Sequence, residues 1–260
     1  MQQSIEGIAL ALDRAEKQRQ PFAPLSETYP SLTVAQAYAI QSAWLDIKCR
    51  GQVAMLIGHK IGLTSAAMQQ LLGIDQPDYG FLLDNMVVLS GGILARGDFI
   101  APRIEPEIAF WLAQDLQGPG ITVEAVLAAT RGVCAALELV DSRINDWRIK
   151  LVDTIADNAS SARVIVSEYV IPPGEIDLAA EGVTLYCDGT ALGSGTGAAV
   201  LDHPANAVAW LANKLAEFGV GLRAGQLVLP GAMCAAANVS AGEIYRASFT
   251  HLGEVAVRFV

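Results

Sequence analysis

The sequence predicts an α+β protein, an antiparallel or mixed sheet of the roll or barrel kind with helices at its N-terminus and periphery. Three observations carry that reading. The first 50 residues and two later stretches space their apolar residues by three or four. Most of the rest breaks into short apolar runs bounded by Gly, Pro or Asp. Those runs are too many and too irregularly spaced for a ladder of βαβ units. The division expected is a helical region over residues 1–55 and a β-rich unit over residues 56–260.

The elements justify themselves in order. In "SLTVAQAYAIQSAWLDIKCRG", Thr33 and Gln36 have capping-box spacing, Val34, Ala37, Ile40, Trp44 and Ile47 form an apolar stripe, and Gly51 can end the helix. "LIGHKIGL" and "RIEPEIAFWL" then read as strands. Pro106 has no N–H for a ladder, so its strand is expected at an edge or bulged. Thr122 can cap a helix through "VEAVLAATR", and "AALELVD" and "GVTLYCDG" are again strand-like. "HPANAVAWLANKLAEFG" is the second clear helix, with Pro204 near its start, Gly219 past its end and Val208, Leu211, Leu215 and Phe218 as its buried stripe. "GQLVLPGA" and "EIYRASF" close the chain as strands.

The composition narrows function. The 260 residues are 52% hydrophobic and 17% charged, which is globular, and 17 Lys+Arg against 27 Asp+Glu give a formal net charge of -10. A nucleic-acid binder needs a basic patch, and an anionic membrane would repel this chain. Cys49, Cys134, Cys187 and Cys234 form no CxxC pair and read as four buried free thiols in a reducing compartment. The N-terminal stretch has Glu6 inside its apolar part and no basic start, unlike a signal peptide, and no apolar run has the length of a membrane span. A cytoplasmic protein is expected.

Four polar islands interrupt the apolar sequence. On a strand, Glu105 and Glu107 point to one face, where like charges repel unless something positive holds them. A hard divalent cation is the simple answer, with Glu138, alone among Ala136, Leu137, Leu139 and Val140, as a third ligand; an edge strand facing water is the other reading. Lys60 lies within an apolar strand before Gly62, Thr64 and Ser65. Desolvation would lower its pKa and suit it to acid/base work, unless it snorkels from a strand end. Asp157, Asn158, Ser160 and Ser161 could offer donors to a bound carboxylate or form a plain turn. Asp78, after a proline, reads as a tight-turn aspartate.

Taken in order, "GHKIGLTSAAMQ", "QPDYGFLLDNM", "PRIEPEIAFWLAQDL", "LELVDSRINDWRIKLVDTIADNASSA" and "GAAVLDHPANAVAWLANKLA" resemble the 2-keto-4-pentenoate hydratase and 2-oxo-3-hexenedioate (4-oxalocrotonate) decarboxylase family of the fumarylacetoacetate hydrolase superfamily. The resemblance runs from about Leu12 to Val260. It implies a mixed β roll or barrel as the catalytic unit, a Mg2+ or Mn2+ site, a homo-oligomer that can associate with a pathway partner of the same family, and a place in meta-cleavage breakdown of aromatic compounds. Carried over by residue, it implies Glu105, Glu107 and Glu138 as metal ligands, Lys60 as the acid/base group near the substrate's 2-oxygen, and Asp78 as a second polar group. Thr64, Asn158, Ala159, Ser160 and Ser161 would contact substrate, whose carboxylate end the 158–160 turn would line, and Gly231 would close the pocket. Pro106 and Pro230 depart from the family pattern, where Ala and Ser or Thr are common, and Pro230 puts the contacts near Gly231 in doubt.

The substrate implied is a small 2-oxo or 2-hydroxydienoic acid, which can chelate a cation through its carboxylate and 2-oxygen. Hydration and decarboxylation share that centre and differ at the far end of the pocket. Asp78 there resembles the hydratases, since a pocket anion repels a leaving carboxylate. Arg163 resembles the decarboxylases, where a cation could hold a second carboxylate. Hydration of 2-hydroxypenta-2,4-dienoate is therefore expected, with Asp78 in the pocket and Arg163 outside it; 4-oxalocrotonate decarboxylation is the alternative and a non-catalytic partner subunit the remote one.

Overall fold

The structure is a computed structural model that describes residues 4–65, 69, 74 and 76–260. Ser4 opens α1 (Ile5–Gln18) by accepting the Gly7 N–H, and a short α2 (Leu25–Thr28) follows. The predicted capping box is present: Thr33 Oγ1 accepts from the Gln36 N–H while Gln36 Oε1 accepts from the Thr33 N–H at the start of α3 (Val34–Cys49). Ala37, Ile40 and Trp44 of the stripe are buried. Gln41 on the same helix donates to the backbone carbonyls of Tyr79 and Ile155, which ties α3 to the sheet below.

The strands are β1 (Leu56–Gly62), β2 (Asp78–Leu83), β3 (Val87–Leu89), β4 (Gly92–Leu94), β5 (Arg103–Leu112), β6 (Thr130–Val140), β7 (Ser161–Val166), β8 (Gly182–Cys187), β9 (Thr190–Thr196), β10 (Leu227–Leu229), β11 (Ala237–Asn238), β12 (Ile244–Phe249) and β13 (Glu254–Phe259). Among the described residues they form two mixed sheets. The larger has the order β2-β1-β10-β5-β6-β7-β3, with β11 also on β5, and the smaller β4-β13-β12-β8-β9. The α+β class is as expected, but neither sheet closes on itself, so there is no barrel. Between strands lie α4 (Val123–Ala129), α5 (Leu151–Ala156) and α6 (Pro204–Ala216). Thr122 caps α4, which stops before Thr130 because "TR" already belongs to β6. Phe218 falls beyond the end of α6, where the helical period no longer applies, and is 49% exposed.

Two further expectations fail for identifiable reasons. Pro106 sits in an interior strand with no bulge beside it: β5 pairs with β6 on one side, and with β10 and β11 on the other. Its carbonyl accepts from the Met233 N–H, so its missing donor faces the gap between β10 and β11, where no ladder bond is lost. Asp78 is no turn residue; it is the first residue of β2, whose six positions are all buried. Of the four cysteines, all free, only Cys134 is buried and the other three are half-buried. No helix among the described residues is long and apolar enough to cross a membrane.

Candidate active site

Antiparallel pairing of β5 with β6 sets the site. Glu105 lies directly opposite Glu138, and Glu107 is opposite Ala136, so all three carboxylates emerge on one face. Oxygens of the three lie within 4.8 Å of one another. Glu107 and Glu138 are fully buried and Glu105 partly so. Glu107 Oε2 accepts from the Gly231 N–H at 2.7 Å, while Glu107 Oε1 and both oxygens of Glu138 accept no hydrogen bond. Buried acceptors left unspent are costly. Burial, then the neighbouring carboxylates, pushes Glu107 well above the ordinary carboxylate range. Burial likewise pushes Glu105 up to about 7. Three convergent carboxylates with unspent oxygens have the donor chemistry of a hard divalent cation.

Lys60 is the cation paired with this cluster; Arg103, on the same face of β5, bears on Glu105 from further along the strand. Lys60 lies on β1 between Gly80 of β2 and Leu229 of β10, only 3% exposed, with Nζ 3.1 Å from Glu138 Oε2. It also donates to the Ala159 carbonyl at 3.0 Å. Burial taken alone lowers its pKa, the effect expected from sequence. The charges of Glu138, Asp78, Glu105 and Glu107 outweigh that effect and hold the ammonium protonated, above the ordinary lysine value. Asp78 pairs across from Gly62 and so shares this face. A side chain on Gly62 would place Cβ 2.3 Å from Asp78 Oδ1 and 3.4 Å from Lys60 Nζ, so the two groups meet over a position that must lack one. Thr154 donates to Asp78 Oδ2 at 2.9 Å, and Asp78 Oδ1 has no partner. Burial raises the Asp78 pKa against the pull of Lys60 and Thr154.

The carbonyl that holds Lys60 sits in an unusual turn. Asn158, Ala159 and Ser160 have φ of 58°, 47° and 57°, three successive left-handed residues without a glycine. Each costs roughly 1–2 kcal/mol. The Asn158 amide bridges the Phe81 N–H and C=O at 2.6 and 3.1 Å, so its side chain is spent on β2 and only its backbone remains for a ligand. Gly80 allows the approach: a Cβ there would lie 2.4 Å from the Asn158 carbonyl oxygen. Asp157 anchors the turn from the other end by accepting from Ser142, Ser160 and the buried Arg143. Gly231, at φ 128°, abuts Thr64; an added Cβ would stand 2.1 Å from Thr64 Oγ1. Arg163 pairs with Leu139, the neighbour of Glu138, and therefore lies on the other face of the sheet. Sequence reading missed Thr154 and Arg143. A charged Arg143 three residues beyond the apolar strand β6 was a visible signal for a buried partner; nothing local marks Thr154.

Residues 52–260 match the fumarylacetoacetate (FAA) hydrolase C-terminal family. The chain belongs to that family. A 2-hydroxyhexa-2,4-dienoate hydratase of Comamonas testosteroni is 42% identical over 99% of this chain and 98% of its own. A 2-oxo-hept-4-ene-1,7-dioate hydratase of Escherichia coli is 43% identical, with 97% of each chain covered. Among solved structures, the 4-oxalocrotonate decarboxylase from Pseudomonas putida G7, complexed with magnesium and adipate, superimposes with a TM-score of 0.95 at 34% identity over 98% of this chain and 97% of that one. The chain thus has close sequence relatives named as hydratases and superimposes on a decarboxylase.

Proposed function

We propose that this family member is a divalent-metal-dependent hydratase acting on 2-hydroxypenta-2,4-dienoate or a close homologue, giving a 4-hydroxy-2-oxo acid in meta-cleavage catabolism of aromatic compounds. Glu105, Glu107 and Glu138 would hold Mg2+ or Mn2+, which supplies Lewis-acid stabilisation of negative charge at the substrate's 2-oxygen. The observation that carries the choice of hydration is the company the carboxylates keep: Asp78 with an unspent oxygen on their face, Arg163 on the other.

Lys60, kept protonated and fixed by the Ala159 carbonyl, donates a hydrogen bond to the 2-oxygen and so stabilises negative charge there. The dienol gives up its hydroxyl proton as its far carbon gains one, leaving a conjugated enone; water then adds at C4, and the enolate so formed is protonated at C3. Asp78 Oδ1, its partner oxygen locked by Thr154, takes the proton from that water. A decarboxylase must first seat a second carboxylate at this end, where Asp78 repels it and Arg163, on the other face, does not compensate.

The test is incubation of the protein alone, with Mg2+, on 2-hydroxypenta-2,4-dienoate and on 2-oxo-3-hexenedioate, with both products identified. Hydration of the first should dominate and should fall steeply in Asp78→Asn. Faster CO2 release from the second would favour the decarboxylase, and no turnover of either would favour a non-catalytic subunit.

A further inference from the structure

Behind the turn that holds Lys60 lies a cavity of about 390 Å3, walled by α1 and α3 on one side and by β2, β7 and the stretch around Phe99 on the other. None of Lys60, Asp78, Glu105, Glu107 and Glu138 lines it. Phe81 and Leu83, which do, alternate along β2 with Asp78 and Gly80 and so face away from the carboxylate cluster. The volume is that of a small-molecule site.

The charges around this cavity are nearly all committed. Lys48 is paired with Glu16, Arg19 with Asp98 at 3.7 Å, and Arg143 with Asp157 at 2.5 Å. Lys17 is paired with Asp13 at 2.7 Å. Asp141 accepts from the Ile100 and Ala101 N–H groups at 2.9 and 2.7 Å. Arg163 is the exception. Half-buried, it donates one N–H to the Ala162 carbonyl at 2.7 Å and stands 5.6 Å over the Phe99 ring, with no carboxylate partner among the described residues. Two residues earlier, Ser161 also lines the cavity, is 2% exposed, and has a hydroxyl without any hydrogen-bond partner. A free guanidinium is conspicuous in a chain of net charge -10. Beside an orphaned buried hydroxyl, it makes an incomplete site for an anion.

We infer that this cavity binds the carboxylate of a small organic acid, with Arg163 and Ser161 as donors to the anion. A guanidinium presents two parallel N–H groups to a carboxylate, a match that a neutral amide does not offer. The site is separate from the catalytic face and needs no metal.

Calorimetric titration of the Mg2+-loaded protein tests this with three probes: benzoate, neutral benzamide of the same shape, and inorganic phosphate. Benzoate should bind and the other two should not. In Arg163→Gln its affinity should drop at least tenfold while kcat/KM on the dienoate stays within twofold of wild type. Ser161→Ala, a smaller change, should weaken benzoate severalfold and guards against a folding defect in the first variant. No binding of benzoate, equal binding of benzamide, or binding of phosphate alone would overturn the assignment. So would benzoate binding that survives Arg163→Gln but disappears in Glu107→Gln, which would place the ligand at the catalytic carboxylates.

Discussion

Arg143 and Lys60 are both buried cations, 0% and 3% exposed, and each meets carboxylates, yet the two clusters are built to opposite ends. Around Arg143 everything is satisfied. Its guanidinium reaches Asp157 Oδ1 at 2.5 Å, the Asp141 carbonyl at 2.6 Å, the Ser161 carbonyl at 3.2 Å and the Asp157 carbonyl, while Trp44 covers its face. Around Lys60, one ammonium confronts Glu105, Glu107, Glu138 and Asp78, and four of their oxygens have no hydrogen bond. A closed ionic cluster fixes a backbone; an open one with excess negative charge is finished only by something the protein binds. Burial and charge alone do not separate the two. The hydrogen-bond account does.

The contrast can be broken at several points. Glu107→Gln should give the largest effect, abolishing metal-dependent turnover while circular dichroism shows an intact fold, because it removes charge from a cluster that already has too much. Turnover retained in this variant, or in wild type with EDTA, would remove the open cluster from catalysis. Arg143→Met should do the reverse. Leaving Asp157 buried without its cation costs about 3–5 kcal/mol, so denaturant unfolding should show a large loss of stability, with loss of activity following from a loosened 158–160 turn. Equal stability of Arg143→Met and wild type would mean that the closed cluster is not what holds the turn.

Lys60→Ala should lower kcat by roughly 10²-fold or more, the scale of losing a general acid. KM-independent loss, seen in single-turnover measurements with Mg2+ present, would locate the effect in the chemical step. The smallest effect is one of pH on the metal-free protein. Glu105 is raised from 4.5 to about 7 by burial and its neighbours, so the folded state holds this proton more tightly than the unfolded chain. Stability in EDTA should therefore be highest in acid and fall as pH rises from about 4.5 through 7. A thermal melt at pH 5 and pH 8 reads it, and excess Mg2+ should flatten the difference because the cation takes the place of those protons. A melting temperature that rises with pH in EDTA but not in Mg2+ would contradict the excess charge.

Much of this was legible in the sequence, for reasons that are local. Strand alternation alone puts Glu105 and Glu107 on one face, capping chemistry alone marks Thr33, Thr122 and Pro204 as helix starts, and an isolated Glu138 or Lys60 in an apolar run announces a buried charge needing a partner. What the sequence could not determine depends on pairing across long separations. The register of β5 against β6 places Glu138 opposite Glu105, and the gap between β10 and β11 makes Pro106 harmless in an interior strand. The direction of the Lys60 shift also needed three dimensions. Burial and attraction act on it with opposite signs, and only the convergence of four carboxylates decides which prevails. The 158–160 turn is the clearest case. Its residues look like any polar turn, and their left-handed backbone follows from Arg143, Asp157 and Phe81, bonded to it from elements that no local pattern brings together.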